Sequence, residues 1–101
     1  MDKFKIIYLP TDTYEINEND DNIDIVIAME DGKEYAATFF TIKNIESLFE
    51  KNRKTGECAN GLYWWASDMI ILEKLAKKNI HNTVCDMIKE NELDAATTRI
   101  K

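Results

Sequence analysis

Two apolar segments joined by Asp31-Gly32 constrain the fold more than any other feature of the sequence. Apolar side chains occupy every second position from residue 23 to 29, and a second β-favouring segment runs from residue 33 to 40. An Asp-Gly pair between such segments is typical of a two-residue type I′ turn, in which both residues adopt positive φ. We therefore expect a β-hairpin over residues 23–40.

A two-residue loop would also determine how the two strands pair, because the side-chain period of a strand is two. It would place Asp24 opposite Phe39 on one side of the ribbon and Ile25 opposite Thr38 on the other. Both sides would then be largely apolar. The side that carries Tyr35 and Phe39 would be covered by another segment of the chain or would form an interface.

Two further strands are expected near the ends of the chain. Residues 3–9 begin with alternation and end in an apolar run, which predicts a strand that becomes buried on both faces. Pro10 cannot donate to a strand ladder, so residues 10–13 should leave the sheet. Residues 97–100 predict a short closing strand.

Two helices are predicted from capping residues and apolar spacing. Thr41 can cap a helix from residue 42 to about residue 54, which Gly56 would end. Asn79 can cap a second helix that runs to about residue 91. The apolar stripe of this second helix would consist of Ile80, Val84, Met87 and Ile88.

The longest apolar run follows Gly61 and contains both tryptophans. Residues 62–65 and 69–72 read as two strands joined at a bend, because their aromatic and β-branched residues are contiguous. In the alternative interpretation, Ser67 caps a helix that begins at Asp68. Residues 68–78 are therefore either strand or helix.

Composition limits the architecture to one domain. A chain of 101 residues with 45% hydrophobic and 10% aromatic residues can build one core and is too apolar to be disordered. With the elements above, this predicts a single α+β domain over residues 1–101, in which an antiparallel sheet packs against two or three helices. No apolar run approaches the roughly 18 residues that cross a bilayer, and no secretion signal opens the chain. We expect a cytoplasmic protein without membrane contact, whose Cys58 and Cys85 are reduced.

Motifs for cofactors, metals and catalysis are not recognisable, so we expect none of them. A calcium loop starting at residue 17 would need Gly at residue 22 and Glu at residue 28, where the chain has Asn and Ala. The sole histidine, His81, has no evident sequence link to either cysteine, and we expect it to be exposed. The three glycines form no phosphate-binding motif.

Negative charge is concentrated in the first half of the chain. Residues 1–50 carry 12 acidic and 4 basic residues, a net charge of −8, whereas residues 51–101 carry 7 acidic and 9 basic residues, a net charge of +2. Such a field repels nucleic acid phosphates and attracts a basic protein. The charge distribution therefore favours a protein partner with a basic surface over nucleic acid.

The segment Gly-Leu-Tyr-Trp-Trp-Ala-Ser-Asp-Met-Ile-Ile at residues 61–71, with Thr-Gly-Glu-Cys at residues 55–58, resembles small uncharacterised single-domain bacterial proteins. This resemblance implies no activity and no catalytic residues. By size and acidity the chain is also similar to toxin-immunity proteins, which mask a basic active surface on a toxin, although no motif is shared.

Two functions of different class follow. The first is a protein-interaction module, such as an immunity-like inhibitor, with Tyr35 or Phe39 as an apolar anchor. Its acidic contact residues would be Asp20, Asp21, Asp24, Glu30, Asp31 and Glu34. The second is a ligand-binding protein or enzyme whose pocket is lined by Cys58, Trp64, Trp65, Ser67 and Asp68. A homodimer held by exposed sheet surface is a third alternative.

Overall fold

The computed structural model of the chain describes residues 4–9 and 14–101. Its sheet contains five strands, which are β1 (Phe4–Tyr8), β2 (Asn22–Met29), β3 (Glu34–Thr41), β4 (Met69–Leu72) and β5 (Thr98–Arg99). Four helices accompany them, namely α1 (Ile42–Thr55), α2 (Glu57–Gly61), α3 (Lys77–Lys89) and α4 (Leu93–Ala96). The sheet order is β1-β2-β3-β4, with β5 also beside β3, and every pair is antiparallel except β3 with β4. The predicted α+β class is confirmed.

The hairpin of β2 and β3 is present, but its loop has three residues instead of two. The Met29 amide donates to the Lys33 carbonyl at 2.8 Å, and the Gly32 amide donates to the Met29 carbonyl at 3.0 Å. Gly32 has φ +94, as in a type I turn followed by a left-handed residue. This extra loop residue shifts the pairing by one, so that Ile25 faces Ala37.

That shift puts Tyr35 and Phe39 on the same face of the sheet as the isoleucines of β2. Ile23 now faces Phe39, and Ile27 faces Tyr35, all of them buried in the core. The expectation that Tyr35 and Phe39 lie on the opposite face from these isoleucines is wrong. Neither side chain can serve as an exposed anchor for a partner in this conformation.

Helix α3 covers the buried face of the hairpin. Ile80, Val84 and Met87 pack against the strands, as the predicted stripe requires. The helix begins at Lys77, two residues before the predicted cap, and the Asn79 side chain instead donates to the Lys74 carbonyl at 3.2 Å. Further core contacts on this face come from Leu75, Leu93 and the partly buried Phe4, Ile6 and Tyr8.

Helix α1 follows β3 directly and forms as predicted. The Thr41 hydroxyl accepts the Asn44 amide at 3.0 Å, which satisfies a free donor of the first turn. At the other end, Gly56 has φ 86 and its amide donates to the Asn52 carbonyl at 2.9 Å.

The molecule is elongated, with extents of 45 × 27 × 22 Å.

The remaining predictions have mixed outcomes. Residues 69–72 are a strand, so the helix starting at Asp68 is wrong, but residues 62–66 have no regular structure. The closing strand is confirmed as β5. Strand β1 is not buried on both faces, because Ile7 is exposed. The turn expected at residues 10–13 lies outside the described residues.

Candidate functional site

One face of the sheet is left uncovered by the helices of the core. On this face Ile7 lies beside Val26, and Val26 lies beside Ala36, across three neighbouring strands. We call it the open face and define it by the alternate residues of β1–β4 that share it. They are Lys5, Ile7, Asn22, Asp24, Val26, Ala28, Glu34, Ala36, Thr38, Phe40, Met69 and Ile71.

The open face carries both apolar and charged side chains. Its most exposed apolar residues lie on the outer strands β1 and β4, where Ile7, Met69 and Ile71 are 40%, 37% and 48% exposed. Single exposed apolar residues are common, but several on one face of a sheet are typical of an interaction surface. Between them, on β2, the exposed Asp24 carboxylate accepts the Thr38 hydroxyl at 2.6 Å.

Trp64 packs on the open face near the end of β3. The rings of Phe40 and Trp64 meet edge to face, with centroids 4.9 Å apart and planes at 75°. Phe40 is consequently buried. Trp64 is a packing residue at this end of the open face.

The chain around Trp64 exposes its other large side chains. We call residues 62–65 the aromatic loop. Leu62 is 79% exposed and Trp65 is 72% exposed, and Tyr63 is exposed as well. Large apolar side chains at such exposure gain little from folding, so their presence needs a further reason.

A left-handed turn leads into the aromatic loop. Cys58, Ala59 and Asn60 have φ values of 52, 52 and 61 inside α2, which is therefore not a regular α-helix. Gly61 follows with φ +79 and lies so close to α1 that a Cβ there would be 2.5 Å from Arg53 Cγ. Only glycine fits this approach.

Asp68 closes the aromatic loop onto the sheet. Its φ is 56, and its carbonyl accepts the Thr38 amide at 3.0 Å where β4 begins beside β3. Its carboxylate accepts a hydrogen bond from the Thr98 hydroxyl of β5. The bend expected at Ser67 and Asp68 is therefore present, and the Asp68 side chain has a structural partner.

The predicted pocket residues line neither of two shallow cavities on the described surface. One shallow surface cavity is bordered by Leu72, Glu73, Lys74, Asn79, Asn82, Thr83 and Asp86, and a second by Lys43, Glu46, Ser47, Glu50 and Arg53. Of the predicted set, Trp64 packs on Phe40, while Trp65 and Ser67 face outward. A ligand pocket at this segment stays a prediction.

The six acidic residues predicted as contacts do not form one cluster. Asp20 accepts the Asn44 side-chain amide at 3.1 Å, and Asp21 accepts the Tyr14 hydroxyl at 2.5 Å. Both therefore organise the residues before β2, and Asp20 also brings negative charge to the first turn of α1.

The other acidic residues lie along the hairpin. Asp24 and Glu34 belong to the open face. Glu30 and Asp31 are in the hairpin loop, at the far end of β2 from Asp20 and Asp21, and Asp31 is 3.7 Å from Lys33 Nζ. Only Asp24 and Glu34 border the exposed apolar surface directly.

A cysteine and the histidine meet on α3, which the sequence reasoning missed. Cys85 Sγ lies 3.8 Å from His81 Nδ1, and the His81 ring is 5.1 Å from the Phe4 ring. His81 is half-buried, so its expected exposure is wrong. Their spacing of four residues within a predicted helix was the available signal, since such residues share a helix face.

The chain matches no protein-family model, no curated protein and no solved structure. Within residues 4–9 and 14–101, none of the helices combines the length and apolar character that crossing a membrane requires. The same residues contain no group of three or more histidine, cysteine, aspartate or glutamate side chains placed to hold a metal ion.

Proposed function

We propose that the protein is an interaction module that binds a basic protein partner through its open face. The observation that carries this proposal is the one-sided cover of the sheet. The helices bury the face with Ile25 and Phe39, whereas Ile7, Met69 and Ile71 on the other face remain in contact with water. A partner that covers them would remove this apolar surface from water, which is favourable at about 25 cal/mol per Å².

The charge of the open face supports a basic partner. Asp24 and Glu34 lie within the open face, and Lys5 is the one basic residue among those that define it. A basic surface would pair with these carboxylates, which raises the association rate and orients the complex.

Charge also argues against a second copy of the chain as the occupant. Two copies, each with a net charge of −6, would bring the same carboxylates together in a face-to-face dimer. Like charges across an interface cost several kcal/mol. An immunity-like inhibitor that masks a basic active surface is one specific form of the proposed function, supported by size and acidity.

Paired variants test the role of the exposed apolar residues of the open face. The tagged protein is used for affinity capture from lysate of its host at low and high salt, and the recovered protein is then purified for affinity measurements. The double variant Ile7→Ser/Ile71→Ser should weaken binding at least about tenfold. Ile42→Ser on α1, where the native side chain is similarly exposed, is the matched control and should bind as the native protein does.

A second pair of variants tests the charge. Asp24→Asn keeps a side-chain acceptor for Thr38 but removes the charge, and with Glu34→Gln it should reduce both the affinity and its salt dependence. Asp94→Asn on the exposed surface of α4 is the control. Unchanged binding by both the apolar and the charge variants would refute the proposal, as would an acidic partner. Dilution-dependent dimers that the double variant abolishes would show that a second copy occupies the face.

A further inference from the structure

The aromatic loop adjoins the open face at Trp64. Trp64 packs on Phe40, which lies on β3 beside Ile71 of the open face. The residues on either side of Trp64 in the chain, Tyr63 and Trp65, are exposed. Tryptophan and tyrosine dominate the residues that contribute most to protein–protein binding energy.

The loop is held in place before any partner binds. Gly61 fits against α1, and the Phe40 ring contacts Trp64. Asp68 bonds to Thr38 at the other end. A loop that is already ordered loses little conformational entropy on binding, so its exposed side chains can contribute most of their contact energy to affinity.

The left-handed turn adds to this argument. Non-glycine residues in the left-handed region cost roughly 1–2 kcal/mol each, and Cys58 and Ala59 are both there. Strain of this kind persists where the surrounding structure enforces it, and the turn is what brings the chain back along α1 into the aromatic loop.

We propose that Trp65, supported by Tyr63, is the anchor that inserts into the basic partner, while the open face supplies the flatter remainder of the interface. This rests on the function proposed above. The partner chemistry is an apolar pocket bordered by arginine or lysine. The face of an indole ring attracts such cations, so the exposed Trp65 suits the same basic partner as the carboxylates of the open face.

A membrane surface is the other environment that takes exposed tryptophan and tyrosine, and it fits less well. Binding to anionic lipid typically uses a cluster of about four to eight basic residues. On α1, Arg53 and Lys54 share the Glu50 carboxylate, at 3.0 and 3.8 Å, and Lys51 lies 3.9 Å from Glu57, so these three basic and two acidic residues leave a net charge of only +1. The hydrogen bond from Arg53 also holds the pKa of Glu50 below its ordinary value of 4.5, so this carboxylate stays charged.

The test uses a defined probe. A dye-labelled synthetic helical peptide with leucine on one face and arginine on the other presents the proposed partner chemistry, and a twin with glutamate in place of arginine is its control. Binding is followed by fluorescence polarisation. We expect Trp65→Ala to weaken binding of the arginine peptide at least about tenfold and Trp65→Phe to weaken it less. Ile42→Ala is the matched control for an exposed apolar residue outside both surfaces and should have no effect.

The native chain also contains its own reporter. Because there are two tryptophans, Trp64→Phe keeps a ring on Phe40 and leaves Trp65 as the single emitter. Its emission should shift to the blue with the arginine peptide and not with the glutamate twin. A shift with anionic phosphatidylglycerol vesicles but not with the peptide would overturn the proposal in favour of a membrane.

The variants separate this inference from the function on which it rests. Loss of peptide binding in Ile7→Ser/Ile71→Ser, but not in Trp65→Ala, would leave the open face as the binding surface and overturn the anchor. Loss in Trp65→Ala alone would mean that the loop binds without the open face, which would contradict the proposed function. Equal binding of the arginine and glutamate peptides would overturn the proposed partner chemistry. Failure of both peptides to bind would overturn it as well.

Discussion

The Trp64 ring meets the Phe40 ring at a centroid distance of 4.9 Å and an angle of 75°. This contact buries Phe40 and ties an irregular segment to the sheet. Trp64→Ala should therefore lower the free energy of unfolding by about 1–3 kcal/mol, through lost burial and the lost edge-to-face contact. Urea denaturation measures the change. Trp65→Ala, at the exposed neighbouring position, should change stability by less than about 0.5 kcal/mol; equal effects of the two variants would contradict the described packing.

Gly32 in the hairpin loop allows a prediction about the free energy of unfolding. Its φ is +94, and no atom lies within 4 Å of where a Cβ would be, so Gly32→Ala introduces only backbone strain. We expect a loss of about 1 kcal/mol in the free energy of unfolding. Gly61→Ala should cost more than about 2 kcal/mol, because its Cβ would also approach Arg53 Cγ to 2.5 Å and the Phe49 carbonyl oxygen to 3.1 Å. In the two-residue type I′ turn that the sequence predicted, Asp31 as well as Gly32 would have positive φ.

The left-handed turn predicts a substitution that stabilises the protein. Ala59 has φ 52 and ψ 50, so Ala59→Gly relieves strain while adding some entropy to the unfolded chain. The expected result is a gain of about 0.5–1 kcal/mol in the free energy of unfolding. Ala95→Gly in α4, which has no positive φ, is the matched control and should lower stability by about the same amount. If both variants lowered stability, the left-handed conformation of Ala59 would be refuted.

The contact between Tyr14 and Asp21 gives a prediction about pH. The hydrogen bond from the Tyr14 hydroxyl to the Asp21 carboxylate, with a smaller contribution from burial, raises the pKa of Tyr14 above its ordinary value of 10.0. Because the folded-state pKa is raised, the stabilisation is fully present below pH 10.0 and is lost as the pH rises through the raised value.

Tyrosinate absorbance measures this titration, with Tyr14→Phe identifying the contribution of Tyr14. Asp21→Asn should bring the pKa of Tyr14 back toward its ordinary value, whereas Asp94→Asn on α4 should not. If Tyr14 titrated at the same pH in the native protein and in Asp21→Asn, the hydrogen bond between Tyr14 and Asp21 would not form in solution.

Local signals predicted part of this fold correctly. The helix between Thr41 and Gly56 was predictable because a cap depends on residues within one turn of it. The hairpin was predictable in place but not in register, since Asp31-Gly32 fits both a two-residue and a three-residue loop. That single residue decides whether Phe39 is buried or exposed.

The open face and the aromatic loop depend on contacts that are distant in sequence. The alternation of Ile23, Ile25 and Ile27 with Asp24 indicates which side of β2 is covered, but what covers it, and that nothing in α1–α4 covers the other side, depends on where the helices pack. Cys58 and Ala59 have no local preference for left-handed φ, so the turn before Trp65 could not be read from their identities. The approach of Gly61 to α1 is equally a tertiary effect.

Hydroxyl-radical footprinting can show whether the open face is the contact surface for a basic partner. Oxidation of the side chains would be compared for the free protein and for its complex with the basic protein recovered by capture. We expect protection of Met69 and Trp65 in the complex, with Ile42 on α1 oxidised equally in both states. Protection confined to the outer surface of α3, with Met69 and Trp65 as reactive in the complex as in the free protein, would contradict it.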